Sequence, residues 1–131
     1  MADSGVLCAL LNITSEEALR QSPTVGAVWE SFVFAQLRHR ERLAGRAASL
    51  FFWRDRTREV DFVIDAGGRL ELFEAKWTEL PSQADGVNLE FVRTVVGTRR
   101  VSAAAVVCRA RQSFPLAGGL RALSVTDISG A

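Results

Sequence analysis

The chain is expected to fold as a single α/β domain over residues 1–131, with a mixed sheet flanked by helices. Three observations predict this class. Apolar residues make up 48% and charged residues 24% of 131 positions, the balance of a globular chain able to bury a sizeable core. The hydrophobic pattern is helical up to about Leu43 and switches to strand-like alternation after Gly45. A second helical stretch and β-branched runs come after these, giving the order helix, three strands, helix, strand, strand.

Val6 to Leu11 reads as a short helix or strand. Thr14, with Glu17 three residues on, forms a capping-box start for a brief helix from about Ser15 to Gln21. Ser22 can cap a longer helix with Pro23 at its first position, running to about Leu43 and stopping at Gly45. Its wide apolar arc predicts packing on more than one side. "ASLFFW", Ala48 to Trp53, reads as a buried strand, and "DRTR" as a turn. Glu59 to Asp65 alternates strictly, Gly67 and Gly68 turn the chain, and Arg69 to Trp77 alternates again. A helix from Asp85 to Val96 ends at Gly97, Val101 to Cys108 is a fully buried strand, and "LRALSVTDI" supplies a last short strand.

Composition excludes several classes. No repeat or linker interrupts the chain, and no apolar run approaches a membrane span, so no membrane partner is expected. "GVLCALL" is not a signal-peptide core, because Asp3 precedes it without a basic lead and no small-residue cleavage site comes after it. Cys8 and Cys108 lie far apart in apolar runs, as expected of reduced thiols in a cytoplasmic protein. Two cysteines and one histidine are too few for a structural zinc site.

The chemistry concentrates in "LELFEAKW", Leu70 to Trp77, which holds the only lysine among sixteen basic residues. Alternation puts Leu70, Leu72, Glu74 and Lys76 on one side of a strand, with Glu74 and Lys76 about 6.5–7 Å apart. Glu59, Asp61, Val63 and Asp65 share a side of the preceding strand. Either a two-residue or a four-residue turn around Gly67 and Gly68 places Asp61 opposite Glu74. Two facing carboxylates repel, the more so when partly buried, unless a proton or a cation lies between them. A hard ion such as Mg²⁺ meets that need with one or two carboxylates, completing its octahedron with water and substrate phosphate. Lys76 beside the pair can stabilise charge on a transferring phosphate or orient the attacking water. The alternative is an ordinary ion pair among Lys76, Glu74 and Asp61 at a sheet surface.

Glu30 is the other suspicious acid, since its helical neighbours are Gly26, Val33, Phe34 and Leu37. Laid over the three strands, that helix brings Glu30 within reach of Asp61 and Glu74. Otherwise Glu30 sits at the edge of the apolar arc and meets solvent or an arginine. Arginines crowd three places: Arg38, Arg40 and Arg42 at a helix end, Arg54, Arg56 and Arg58 in one turn, and Arg99 with Arg100. They are candidates for phosphate contact, or solvated charge complementing helix dipoles. Trp53 and Trp77 suit base stacking or rim packing. His39 reads as a solvated helix-end residue, and Ser113 and Ser124 lack any base to activate them.

Glu on the first helix, Asp on the second strand and Glu-x-Lys on the third resemble the PD-(D/E)XK nuclease superfamily. The predicted α-β-β-β-α-β order is similar to its restriction-endonuclease-like core. More narrowly, "DSGVLCALL", "GAVWESFVFAQL", "FFWRDRTREVDFVID" and "LFEAKW" resemble a domain of unknown function found at the C-terminus of many prokaryotic AAA-type ATPases. The resemblance implies Asp61 and Glu74 as metal ligands, Lys76 as the catalytic lysine and Glu30 as an auxiliary acid. Val60 stands where the superfamily name has proline. The expected activity is that of a nuclease dependent on Mg²⁺ or Mn²⁺ that hydrolyses DNA, or less favourably RNA, with Arg54, Arg56 and Arg58 on nucleic acid. The alternative is a non-catalytic accessory domain of an AAA-type ATPase that binds nucleic acid or a protein. That ATPase would act in cis or in trans, the chain being a C-terminal fragment or a stand-alone version. A phosphate loop ending in Gly-Lys-Ser/Thr is impossible in a chain whose sole lysine is Lys76, so no ATP binds by that route.

Overall fold

A computed structural model describes residue 5, residue 8, residues 14–46 and residues 50–130. Of the predicted first element, Gly5 and Cys8 are helical and the remainder lies outside the described residues. Helix α1 spans Glu16–Gln21 and α2 Val25–Leu43; strands β1 (Leu50–Arg54), β2 (Glu59–Ala66) and β3 (Arg69–Ala75) come next. Then come α3 (Val87–Val96), β4 (Val101–Cys108), β5 (Phe114–Pro115) and β6 (Arg121–Ser124), joined by short 3-10 turns. The six strands form one mixed sheet in the order β1-β2-β3-β4-β6-β5. β1, β2 and β3 are antiparallel neighbours, whereas β4 runs parallel to both β3 and β6.

The two long helices cover opposite faces. Trp29, Val33 and Leu37 of α2 pack on Phe62, Ile64, Phe73 and Val107. Leu89 and Val92 of α3 pack on Val60, Val63, Leu72, Ala104 and Val106. β4 sends Ala105 and Val107 to one layer and Ala104 and Val106 to the other, which is why the run reads as nearly continuously hydrophobic. The Trp29 indole N–H also donates to the Val107 carbonyl at 3.3 Å, pinning α2 across the sheet. Helix α2 ends as expected, with Gly45 at φ 71° just past Leu43.

Several local expectations are corrected. Ser15, not Thr14, caps α1, its hydroxyl accepting the Ala18 N–H at 3.0 Å. Ser22 and Pro23 form a turn, the Ser22 hydroxyl accepting the Thr24 N–H, so α2 starts at Val25. Residues 47–49, which include the expected start of the strand "ASLFFW", lie outside the described residues. β1 is no buried strand: it is an edge strand with Phe51 52% and Phe52 72% exposed. β5 is an addition to the expected order, being too short to register in the hydrophobic pattern.

Strict alternation along β2 also fails. Phe51 pairs with Val63 but Trp53 pairs with Val60, so Phe52 alone faces Asp61 and Phe62. That bulge turns Val60 and Val63 to the same α3-facing cluster, an offset that perfect alternation forbids. The arginines of the α2 C-terminus divide likewise. Arg38 is exposed, but Arg40 is buried against Glu71 at 2.5 Å, because a strand distant in sequence supplies its counter-charge. It is therefore neither solvated nor free for phosphate.

Candidate functional site

The β2–β3 hairpin delivers the acids. Gly67 (φ 67°) and Gly68 (φ 88°) make a two-residue turn with both glycines left-handed. Ala66 pairs with Arg69 and, four steps on, Phe62 with Phe73. The next step of that register sets Asp61 beside Glu74, as the spacing requires.

Asp61 Oδ2 accepts the backbone N–H of Ala75 at 2.8 Å, and its carboxyl lies close enough to Glu74 to raise the Glu74 pKa. Glu74 is 5% exposed; burial first, then the hydrogen bond and charge of Asp61, push its pKa from 4.5 up to about 9. Lys76 opposes that shift without reversing it. Burial and the facing acid thus both favour the protonated form of Glu74, one way of relieving the repulsion between facing acids.

Lys76 follows the last residue of β3, and its N–H bonds the Val107 carbonyl at 3.0 Å, extending the β3–β4 ladder. Its exposed side chain borders a pocket of about 350 Å³ that Glu30, Glu59, Asp61 and Glu74 also line. The pocket lies at the sheet end where the first turns of α2 and α3 converge, with Gly26 on one side and Val87 and Asn88 on the other. Glu30 is half-buried, and its pKa is raised by burial first and then by Asp61 and Glu59, with Lys76 pulling the other way. The four residues singled out by the sequence thus share one pocket.

Glu59 belongs with them, and sequence reasoning gave it no role. The signal was available: Glu-Val-Asp puts a second acid two residues before Asp61. Asp85 also borders the pocket, but its carboxylate accepts the Ser82 N–H at 2.8 Å as half of a capping box. Among the described residues, no group of three or more His, Cys, Asp or Glu side chains is gathered so as to hold a metal ion.

The arginine turn lies beside the site. Asp55 accepts the Thr57 and Arg58 N–H groups, which hold its carboxyl below the usual range. Arg54 pairs with Glu59 at 3.0 Å, Arg56 is exposed, and Arg58 lies 4.4 Å over the Phe91 ring. Trp53 packs on Phe91, while Trp77 meets Trp29 edge-on with Arg109 3.9 Å over its ring. His39 is exposed. Ser113 bonds Asp127 at 2.6 Å and accepts the Ser124 N–H, a structural arrangement closing β6.

Residues 25–128 match the domain of unknown function DUF4143. The chain belongs to the DUF4143 family. Two mycobacterial proteins, each named only as uncharacterized, are 31% identical over 129 residues: Mb2031c of Mycobacterium bovis and Rv2008c of Mycobacterium tuberculosis. Those residues cover 96% of this chain and 27% of each relative, so the DUF4143 chain spans about a quarter of the length of the relatives it matches. No solved structure matches the chain significantly. No helix among the described residues of this DUF4143 domain is long and apolar enough to cross a membrane.

Proposed function

We propose that this DUF4143 domain is a divergent PD-(D/E)XK nuclease with a restriction-endonuclease-like core, hydrolysing DNA phosphodiesters with Mg²⁺ or Mn²⁺. The observation that carries the reading is the Asp61–Glu74 pair, two acids forced together with Lys76 and Glu30 around one pocket. Keeping Glu74 nearly buried beside Asp61 costs stability, and a binding site for a cation explains why the cost is borne. Asp61 and Glu74 would hold the ion through their oxygens, Glu74 releasing its proton to do so. When bound, the ion supplies Lewis-acid charge and a water of lowered pKa. Lys76, exposed at the pocket rim, neutralises charge on the scissile phosphate, and Glu30 accepts a proton from water. Arg54, Arg56 and Arg58 hold flanking phosphates. An AAA-type ATPase, in cis or in trans, is the proposed partner on resemblance alone, and the cytoplasm the proposed compartment.

A second reading is an accessory domain without catalysis that docks such an ATPase or binds nucleic acid. The raised pKa of Glu74 favours it, as does the lack of any gathered group of three metal-ligating side chains among the described residues. The deciding experiment incubates the protein with supercoiled plasmid and single-stranded circles in millimolar Mg²⁺ or Mn²⁺. Cleavage lost in Lys76→Ala and Asp61→Asn supports the nuclease; no cleavage of either substrate favours the accessory domain.

A further inference from the structure

A second pocket, about 560 Å³, adjoins the first and shares Glu30, Glu59 and Asp61 with it. Its remaining wall is largely aromatic, built from Phe34, Phe51 and Phe52 with Arg54 at the rim. We propose that this trough is a subsite for unpaired nucleobases, so that the substrate strand enters the site single-stranded. The inference rests on the nuclease reading and narrows its substrate class.

Charge argues first. The chain has a net charge of +1, and the pocket entrance is acidic, so phosphate attraction alone gives weak affinity. Arg54 offers one guanidinium, tied to Glu59 by an exposed ion pair that exchanges readily for phosphate. Binding energy must come from contacts that do not depend on charge. The edge strand supplies them: Phe51 and Phe52 are 52% and 72% exposed directly beside the acids. A duplex keeps its base faces stacked inside and shows phosphates and groove edges. An unpaired base shows both faces, and stacking on an aromatic side chain is worth about 1–3 kcal/mol per base. A nucleotide whose base lies in this trough brings its own phosphate towards Asp61.

The test is fluorescence anisotropy with a fluorescein-labelled single-stranded 12-mer and its duplex, in millimolar Mg²⁺, using Lys76→Ala protein to suppress turnover. The expected result is single-strand binding at least about tenfold tighter than duplex binding, and a further loss of about tenfold in Phe52→Ala with duplex binding unchanged. Phe51→Ala shifts affinity in the same direction, and the exposure of both rings keeps the fold intact. Equal affinity for the two probes, binding of neither, or no change in the Phe variants overturns the subsite. So does a dimer that Phe52→Asp dissociates without any oligonucleotide binding, which assigns the aromatics to self-association. The two readings fail separately. A protein that cuts plasmid with Phe variants unaltered keeps the nuclease and loses the subsite. One that binds single strands through Phe52 and cuts nothing loses the nuclease and keeps the subsite.

Discussion

Asp61 reaches from β2 to accept the backbone N–H of Ala75 on β3, at 2.8 Å, while its charge raises the pKa of the neighbouring Glu74. One side chain therefore both closes the hairpin and creates its electrostatic conflict. Substitutions separate the roles. Asp61→Asn keeps an oxygen for the Ala75 N–H and removes a charge that raises the Glu74 pKa, so the fall in metal-free stability with rising pH is shallower than in the wild type. Asp61→Ala leaves that N–H without its partner and is less stable than Asp61→Asn by about 1 kcal/mol in urea denaturation. Under the nuclease reading, millimolar Mg²⁺ raises the melting temperature of the wild type but not of Asp61→Asn. A wild type indifferent to Mg²⁺ counts against Asp61 and Glu74 as ligands.

Stability without metal falls as pH rises. Glu74 holds its proton up to about pH 9 in the fold, against 4.5 as its ordinary value, with burial the leading cause. Between those values the native state binds a proton that the unfolded chain has released, so unfolding becomes easier with each step of alkalinity. A single such proton gives a slope approaching ~1.4 kcal/mol per pH unit. The raised Glu30 carboxyl adds to the same trend. Urea midpoints measured in EDTA should therefore drop from pH 5.5 to pH 8, and Glu74→Gln should flatten most of that drop. A wild-type midpoint that rises over this range contradicts the assignment.

The Gly67–Gly68 turn holds the acids in register. Both residues have positive φ, and the Gly68 N–H donates to Asp65 Oδ1 at 3.0 Å. Among the described residues nothing crowds a Cβ at either position, so the cost of substitution is conformational rather than steric. Gly67→Ala and Gly68→Ala should each destabilise by about 1 kcal/mol, and Gly67→Asn by less, because asparagine tolerates the left-handed region. Thermal melts of the three variants check the ranking.

This turn is also the most legible feature of the chain. Its two glycines and the alternation on either side are local, and together they put Asp61 beside Glu74 without further information. Helix α2 can be read to its end for the same reason: Gly45 marks it. The illegible features depend on neighbours distant in sequence. Leu-Phe-Phe-Trp has the composition of a core strand, yet its place at the sheet edge leaves Phe51 and Phe52 in solvent. The bulge at Asp61 and Phe62 arises from pairing with β1 and leaves no mark in the alternation of β2. Glu59 is easily passed over, despite its spacing from Asp61, because an exposed first strand residue looks like any solvated acid.

Arg40 shows the same dependence energetically. It is 6% exposed, bonded to Glu71 at 2.5 Å and near Glu41 at 3.4 Å, with its guanidinium 5.5 Å from the Phe73 ring centre. Among the described residues its Nε and Nη1 atoms have no hydrogen-bond partner, so the desolvation of the charge is only partly offset. Glu41 retains Arg46 when Arg40 is lost, but Glu71 loses its ion-pair partner. Glu71→Leu should therefore destabilise strongly, by about 3 kcal/mol or more, because it strips the close counter-charge from a buried cation. Arg40→Met should cost less, since Glu71 keeps some access to water at 14% side-chain exposure. The double variant Arg40→Met/Glu71→Leu should be more stable than Glu71→Leu alone, giving a favourable coupling of about 1–3 kcal/mol between the two positions in a double-mutant cycle. Additive losses in urea denaturation would mean that the pair contributes packing alone and that the α2–β3 junction does not rely on charge.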